Sequence, residues 1–104
     1  MRLQLAGPMT GMPNYNRPAF PEAAKHLRAA GFTVHNPGEE VHTDRSWAAY
    51  MRISLDALFR ADALVILPGW QHSTGARLEV AVAHALDIPV IPLEQMNQLG
   101  VEPW

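Results

Sequence analysis

Residues 63–67, Ala-Leu-Val-Ile-Leu, form an unbroken apolar run that stops at Pro68-Gly69. A strand that is apolar at every position needs cover on both faces, which is the habit of parallel sheets packed between helices. The chain continues through a small polar loop, Gln71-His72-Ser73, into a helix-like segment ending near Leu86. A strand, a phosphate-sized loop and a helix N-terminus in that order are the usual means of holding an anionic ligand.

The rest of the chain fits around this unit. Residues 2–6 read as a strand closed by Gly7-Pro8, and residues 9–16, with Gly11 and Pro13, as a loop. Asn16 is placed to cap a helix with Arg17 and Pro18 in its first turn. Phe20, Ala23, Ala24, Leu27 and Ala30 then recur at helical spacing, and Gly31 ends that helix. Residues 32–35 form a second strand, closed by Asn36-Pro37-Gly38. After a polar stretch, Ser46 is a helix cap, and Trp47, Met51, Leu55 and Leu58 make one apolar stripe. The third helix spans about 73–86 and a fourth strand 88–92; residues 93–104 add a turn of helix and a C-terminal anchor. Such alternation predicts a single α/β domain over residues 1–104. Its parallel sheet has four to five strands in the order 2-1-3-4, in a Rossmann-like or flavodoxin-like three-layer sandwich. Ligands in such sheets lie beyond the carboxyl ends of the strands.

Composition removes several function classes. With 104 residues, 48% hydrophobic and 17% charged, the chain has the material for one core. A net charge of −2 without a basic cluster argues against a nucleic-acid polymer as partner. The absence of cysteine removes disulfides, thiolate metal sites and thiol nucleophiles. No apolar run reaches membrane-spanning length, and the N-terminus enters a strand without a signal-peptide pattern, so a soluble cytoplasmic protein is expected. Met51, Trp47, Tyr50 and Trp104 supply more large apolar side chains than one small core absorbs, which predicts a homodimer or larger homo-oligomer.

Four features carry chemistry, each with a plainer reading beside it. Gly7 and Gly11 let backbone approach a ligand, or simply make a turn. Ser73-Thr74-Gly75 offers a hydroxyl and backbone N–H groups to a phosphate or sugar oxygen, and Ser73 is equally an ordinary N-cap. Glu79 has Gly75, Ala76, Val82 and Ala83 as helical neighbours and no basic residue at pairing distance. It either points into a pocket, where apolar neighbours raise its pKa, or faces water. Trp70, just after a turn, is the better candidate to stack a flat ring; Trp47 belongs to the core stripe. The five histidines lack ligand spacing, so neither a metal nor another cofactor is expected.

With these residues in view, the sequence resembles the nucleoside 2-deoxyribosyltransferase-like superfamily, and within it the DUF4406-like branch of small phage and bacterial proteins of undetermined function. The markers are Ala-Gly-Pro-Met-Thr-Gly from Ala6 to Gly11, Asn14-Tyr15-Asn16, Pro18-Ala19-Phe20, Asn36-Pro37, Tyr50-Met51-Arg52, Ala61-Asp62-Ala63, Leu67-Pro68-Gly69-Trp70 and Ser-Thr-Gly-Ala-Arg-Leu-Glu from Ser73 to Glu79. The resemblance implies a nucleoside or nucleotide ligand. It implies that Glu79 attacks the anomeric carbon of a deoxyribose to form a covalent glycosyl-enzyme, and that Ser73 contacts a 5′-phosphate. It also implies sites completed by a neighbouring subunit.

Two positions depart from the family pattern. Gln4 stands where a Tyr usually orients the nucleophile, and Ser54 where an Asp usually helps protonate the leaving base; Asp56 lies half a turn from it. A serine hydroxyl is no general acid at neutral pH. The sequence reading therefore places Glu79 as catalytic residue, with Gln4, Gly7, Pro8, Gly11, Ser54, Gly69, Trp70, Ser73 and Gly75 around the substrate. It predicts an N-glycosidic-bond enzyme, hydrolase or transferase, acting on a nucleoside or deoxynucleotide. The rival is a nucleotide-binding module that turns over weakly or not at all.

Overall fold

The computed structural model describes residues 1–7, 19–36 and 46–98. Pro8, Gly11, Asn16, the loop of residues 9–16, the polar stretch before Ser46 and the C-terminal anchor all lie outside the described residues. Among these residues there are four strands: β1 (Arg2–Ala6), β2 (Thr33–His35), β3 (Ala63–Ile66) and β4 (Val90–Pro92). Four α-helices connect or follow them: α1 (Ala19–Ala29), α2 (Trp47–Phe59), α3 (Thr74–Ala85) and α4 (Leu93–Gln98), with a short 3-10 turn at Trp70–His72. The sheet order is β2-β1-β3-β4 and every pairing is parallel. This is the topology expected from the alternation of elements.

Side-chain alternation along β1 divides the core into two layers. Leu3 and Leu5 join Phe20, Ala23, Ala24 and Leu27 of α1, Val34 of β2, Val65 of β3 and Met96 of α4. Gln4 and Ala6 point to the other face, where Leu58 of α2 and Ala76, Val80 and Ala83 of α3 pack on Leu64 and Ile66. The chain thus crosses from one face to the other between β2 and β3, so its topological switch lies between β1 and β3.

Local chemistry sets the element ends. Ser46 Oγ accepts from Ala49 N at 3.1 Å, and Ser73 Oγ accepts from Ala76 N at 3.1 Å, so both serines act as N-caps. Gly31 takes φ +100° after α1, with Phe32 N donating to Leu27 O and Gly31 N to Arg28 O. That paired closure needs a left-handed residue, as the sequence indicates. Asp87, at φ 58°, does the same after α3, and Ile88 N donates to Ala83 O. This closure consumes Ile88, so β4 starts at Val90 rather than at residue 88. Asp62 ties the start of β1: its side chain accepts from Arg2 N at 2.7 Å, and its own N–H donates to Arg2 O.

The stripe predicted for α2 is corrected. Trp47 is 54% exposed and does not belong to the core. The buried line on α2 is Met51, Ser54 and Leu58, with Leu55 only half-buried beside it. Trp47 sits in the first turn, ahead of the part of the helix that overlies the sheet. The centre of the line belongs to a serine because polar groups of β1 and α3 face it there. Met51, counted by the sequence reading among side chains in surplus to the core, is buried.

Candidate functional site

The α2–α3 face of the sheet carries a set of buried polar groups. Gln4, on central strand β1, is fully buried. A glutamine there is tolerated only if its amide is hydrogen-bonded. Its Nε2 donates to Ser54 Oγ at 3.1 Å and reaches Ser54 O at 3.4 Å. Ser54, buried on α2, donates through Oγ to Glu79 Oε1 at 3.0 Å. On the other side, Gln4 Oε1 lies 2.6 Å from His35 Nδ1. The β1–β2 register pairs Gln4 with His35, which puts the two side chains next to each other on one face. Three neighbouring elements and one edge strand therefore build a continuous chain, His35–Gln4–Ser54–Glu79.

Glu79 is the end of that chain. It sits in the second turn of α3 and is only 4% exposed. Of the two alternatives that spacing left open, the water-facing one is removed. Burial raises its carboxyl from 4.5 to about 7, against the opposing influence of the Ser54 hydroxyl and the Gln4 amide. Its second oxygen, Oε2, is buried and has no hydrogen-bond partner among the described residues. A carboxylate with one oxygen held and the other bare has a defined direction of attack or proton transfer. Near neutral pH it is divided between its charged and neutral forms.

The other residues predicted for the site have identifiable places. A Cβ on Gly7 would lie 2.8 Å from Leu67 Cβ, so glycine there permits β1 and the end of β3 to approach. Gly69 adopts φ 87° in the turn after β3. Gly69 and half-buried Trp70 line a cavity of about 240 Å³, together with Pro68, Gln71, Pro92 and Glu94, over the carboxyl ends of β3 and β4. Glu79, Ser54 and Gln4 do not line it. Of the sequence-predicted residues that are described, Gln4, Ser54 and Glu79 share the buried polar chain and Gly69 and Trp70 the cavity, while Gly7, Ser73 and Gly75 belong to neither.

Gly75, in the first turn of α3, faces α2. A Cβ there would meet Met51 Sδ at 3.1 Å and Trp47 Nε1 at 3.8 Å. Replacement by a β-branched residue would therefore press on helix packing as well as on any ligand, and it does not separate binding from folding. Asp56, half a turn from Ser54, is exposed and paired with Arg60, so it does not take the place of a buried acid at Ser54. No cluster of three potential metal ligands occurs among the described residues, and none of their helices is long and apolar enough to cross a membrane.

His35 was missed by the sequence reading, which grouped it with scattered histidines. Its signal was indirect: Gln4 interrupts the apolar run Leu3–Ala6 of a central strand and needs partners, but the register that supplies one is set by the fold.

Comparison with known proteins agrees with this architecture. A family model described as a domain of unknown function, DUF4406, matches residues 1–92. Among solved structures, the 2-deoxyribosyltransferase of the psychrotolerant bacterium Bacillus psychrosaccharolyticus, described as a biocatalyst for nucleoside synthesis, superposes with a TM-score of 0.70 at 23% identity. The match covers 88% of this chain and 71% of that enzyme. A sequence search among curated proteins finds no match. The chain belongs to the DUF4406 family and is built on the fold of a nucleoside 2-deoxyribosyltransferase.

Proposed function

We propose that this chain is an N-glycosidic-bond enzyme, with a nucleoside or deoxynucleotide as substrate and Glu79 as nucleophile. The observation that carries the reading is the state of Glu79: a buried carboxylate with Oε1 held by Ser54 and Oε2 without a partner among the described residues. A cation-like sugar transition state needs a carboxylate that both stabilises and traps it. In the proposed step Oε2 forms a bond to the anomeric carbon as the bond from that carbon to the base nitrogen breaks. The electron pair leaves with the base, which takes a proton from water. A water molecule or a second base then attacks the same carbon and frees the carboxylate. Ser73, Thr74 and Gly75, at the start of α3, are proposed to receive the phosphate or sugar oxygens. Pro8, Gly11, Gly69 and Trp70 are proposed to border the base.

The departures at Gln4 and Ser54 shape the expected rate. Ser54 holds Glu79 but supplies no acid, and loss of general-acid help is worth about 10²-fold or more. This favours a slow enzyme and keeps the binding-module reading in play. Incubation with a panel of deoxynucleosides and their 5′-monophosphates, followed by detection of free base, separates the two. The enzyme reading predicts base release from wild type and none from Glu79→Gln, which still binds. Base release at equal rates from both proteins contradicts the assignment of Glu79. Nucleotide binding by wild type with no release assigns the chain to the binding class.

A further inference from the structure

We infer that His35 is a positioning residue for Glu79: by donating from Nδ1 it fixes the Gln4 carboxamide, and through it the Ser54 hydroxyl that holds one oxygen of the carboxylate. The inference rests on the reading of Glu79 above and extends it to a histidine on the edge strand.

The direction of each hydrogen bond follows from the groups involved. Gln4 Nε2 faces two acceptors of Ser54, its Oγ at 3.1 Å and its carbonyl oxygen at 3.4 Å. A flipped amide would set its own oxygen against that carbonyl, so the NH₂ end must face α2. The amide oxygen then faces His35 Nδ1 at 2.6 Å. An amide oxygen only accepts, so Nδ1 carries a proton. Every donor in the chain consequently points towards Glu79: His35 to Gln4, Gln4 to Ser54, Ser54 to Oε1.

The alternative arrangement shows what His35 controls. With Nδ1 bare, two acceptors would meet at 2.6 Å, and the amide would have to turn. Its oxygen would then face Ser54 and compete with Glu79 for the single hydroxyl proton. Glu79 would lose the hydrogen bond that favours its charged form and fixes the direction of Oε2. His35 therefore acts on the carboxylate from two residues away, without touching it. No titratable group among the described residues faces the Glu79 carboxyl directly: β1 presents Gln4 and α2 presents Ser54. Arg52 and Asp56 of α2 and Arg77 and His84 of α3 are exposed.

The test is the titration of Glu79 by ¹³C NMR, in protein labelled at the glutamate carboxyl carbons. The Glu79 signal is identified by its loss in Glu79→Gln. His35→Leu removes the donor and should raise the Glu79 midpoint by about half to one pH unit. His35→Asn keeps an N–H near the place of Nδ1 and should leave the midpoint within a few tenths of wild type. His35→Gln offers an N–H at a longer reach and should behave like the leucine variant, which keeps the test available if leucine impairs folding. In an active enzyme the leucine variant should also lose several-fold in kcat with little change in KM. Equal midpoints in wild type and in a folded His35→Leu or His35→Gln variant would overturn the inference. The titration needs no turnover: a shift without base release keeps the positioning role and removes the enzyme reading.

Discussion

The two faces of the sheet are built from the same strands and have opposite chemistry. On the α1 side, Leu3, Leu5, Phe20, Leu27 and Val65 pack with Leu67 and Met96 in a cluster of apolar side chains. On the α2–α3 side, one register step along β1, Gln4 takes the place of a leucine and meets Ser54 and Glu79. The first face supplies stability through area and close packing. The second spends some of that stability to keep a carboxylate dry. A buried ionisable group is a cost to the native state, and here it is retained at a helix beside the topological switch.

The largest effect that would sharpen this contrast is on the apolar face. Leu27→Ala leaves a cavity among fully buried side chains and should cost about 2–5 kcal/mol in denaturant unfolding. It should leave the titration of Glu79 unchanged. A cost near zero, or a displaced Glu79 midpoint, would mean that the faces are not independent.

A similar but pH-dependent effect belongs to the polar face. The Glu79 carboxyl titrates near 4.5 when exposed and near 7 in the fold. Below the lower value both states are protonated and the group is neutral to stability. As pH rises between the two values the unfolded chain ionises first, so stability falls. Above about 7 both states are charged, and the loss levels off at about 3 kcal/mol. Unfolding free energies measured across this window should show that decline in wild type and not in Glu79→Gln. Parallel profiles for the two proteins would contradict the burial of the carboxylate as the cause.

The two faces also differ in how far they could be read from the sequence. The apolar face was legible because periodicity reports it directly: Phe20, Ala23, Ala24 and Leu27 recur at helical spacing, and residues 63–67 demand cover on both sides. Gly31 and the capping serines Ser46 and Ser73 were legible because their backbone roles are local. The polar face was legible only in pieces. Glu79 stood out by its small apolar neighbours, but spacing alone left its direction open. Gln4 and Ser54 drew attention as departures from a family pattern, and the bond that joins them spans 50 residues of sequence. Trp47 misled because an apolar residue at the right helical phase still lies outside the core when its turn precedes the sheet. His35 depended on strand register, which is decided by tertiary packing.

The central claim is that Glu79 Oε2 is the atom that takes the sugar. Its most direct test is a rapid acid quench of the protein mixed with each deoxynucleotide of the panel, followed by peptide mass mapping. The account predicts that the peptide bearing Glu79 gains the mass of one deoxyribosyl or phosphodeoxyribosyl group, that is, the sugar less one water, and that Glu79→Gln gives neither adduct nor free base. An adduct on another residue, or base release by Glu79→Gln at the wild-type rate, would contradict it.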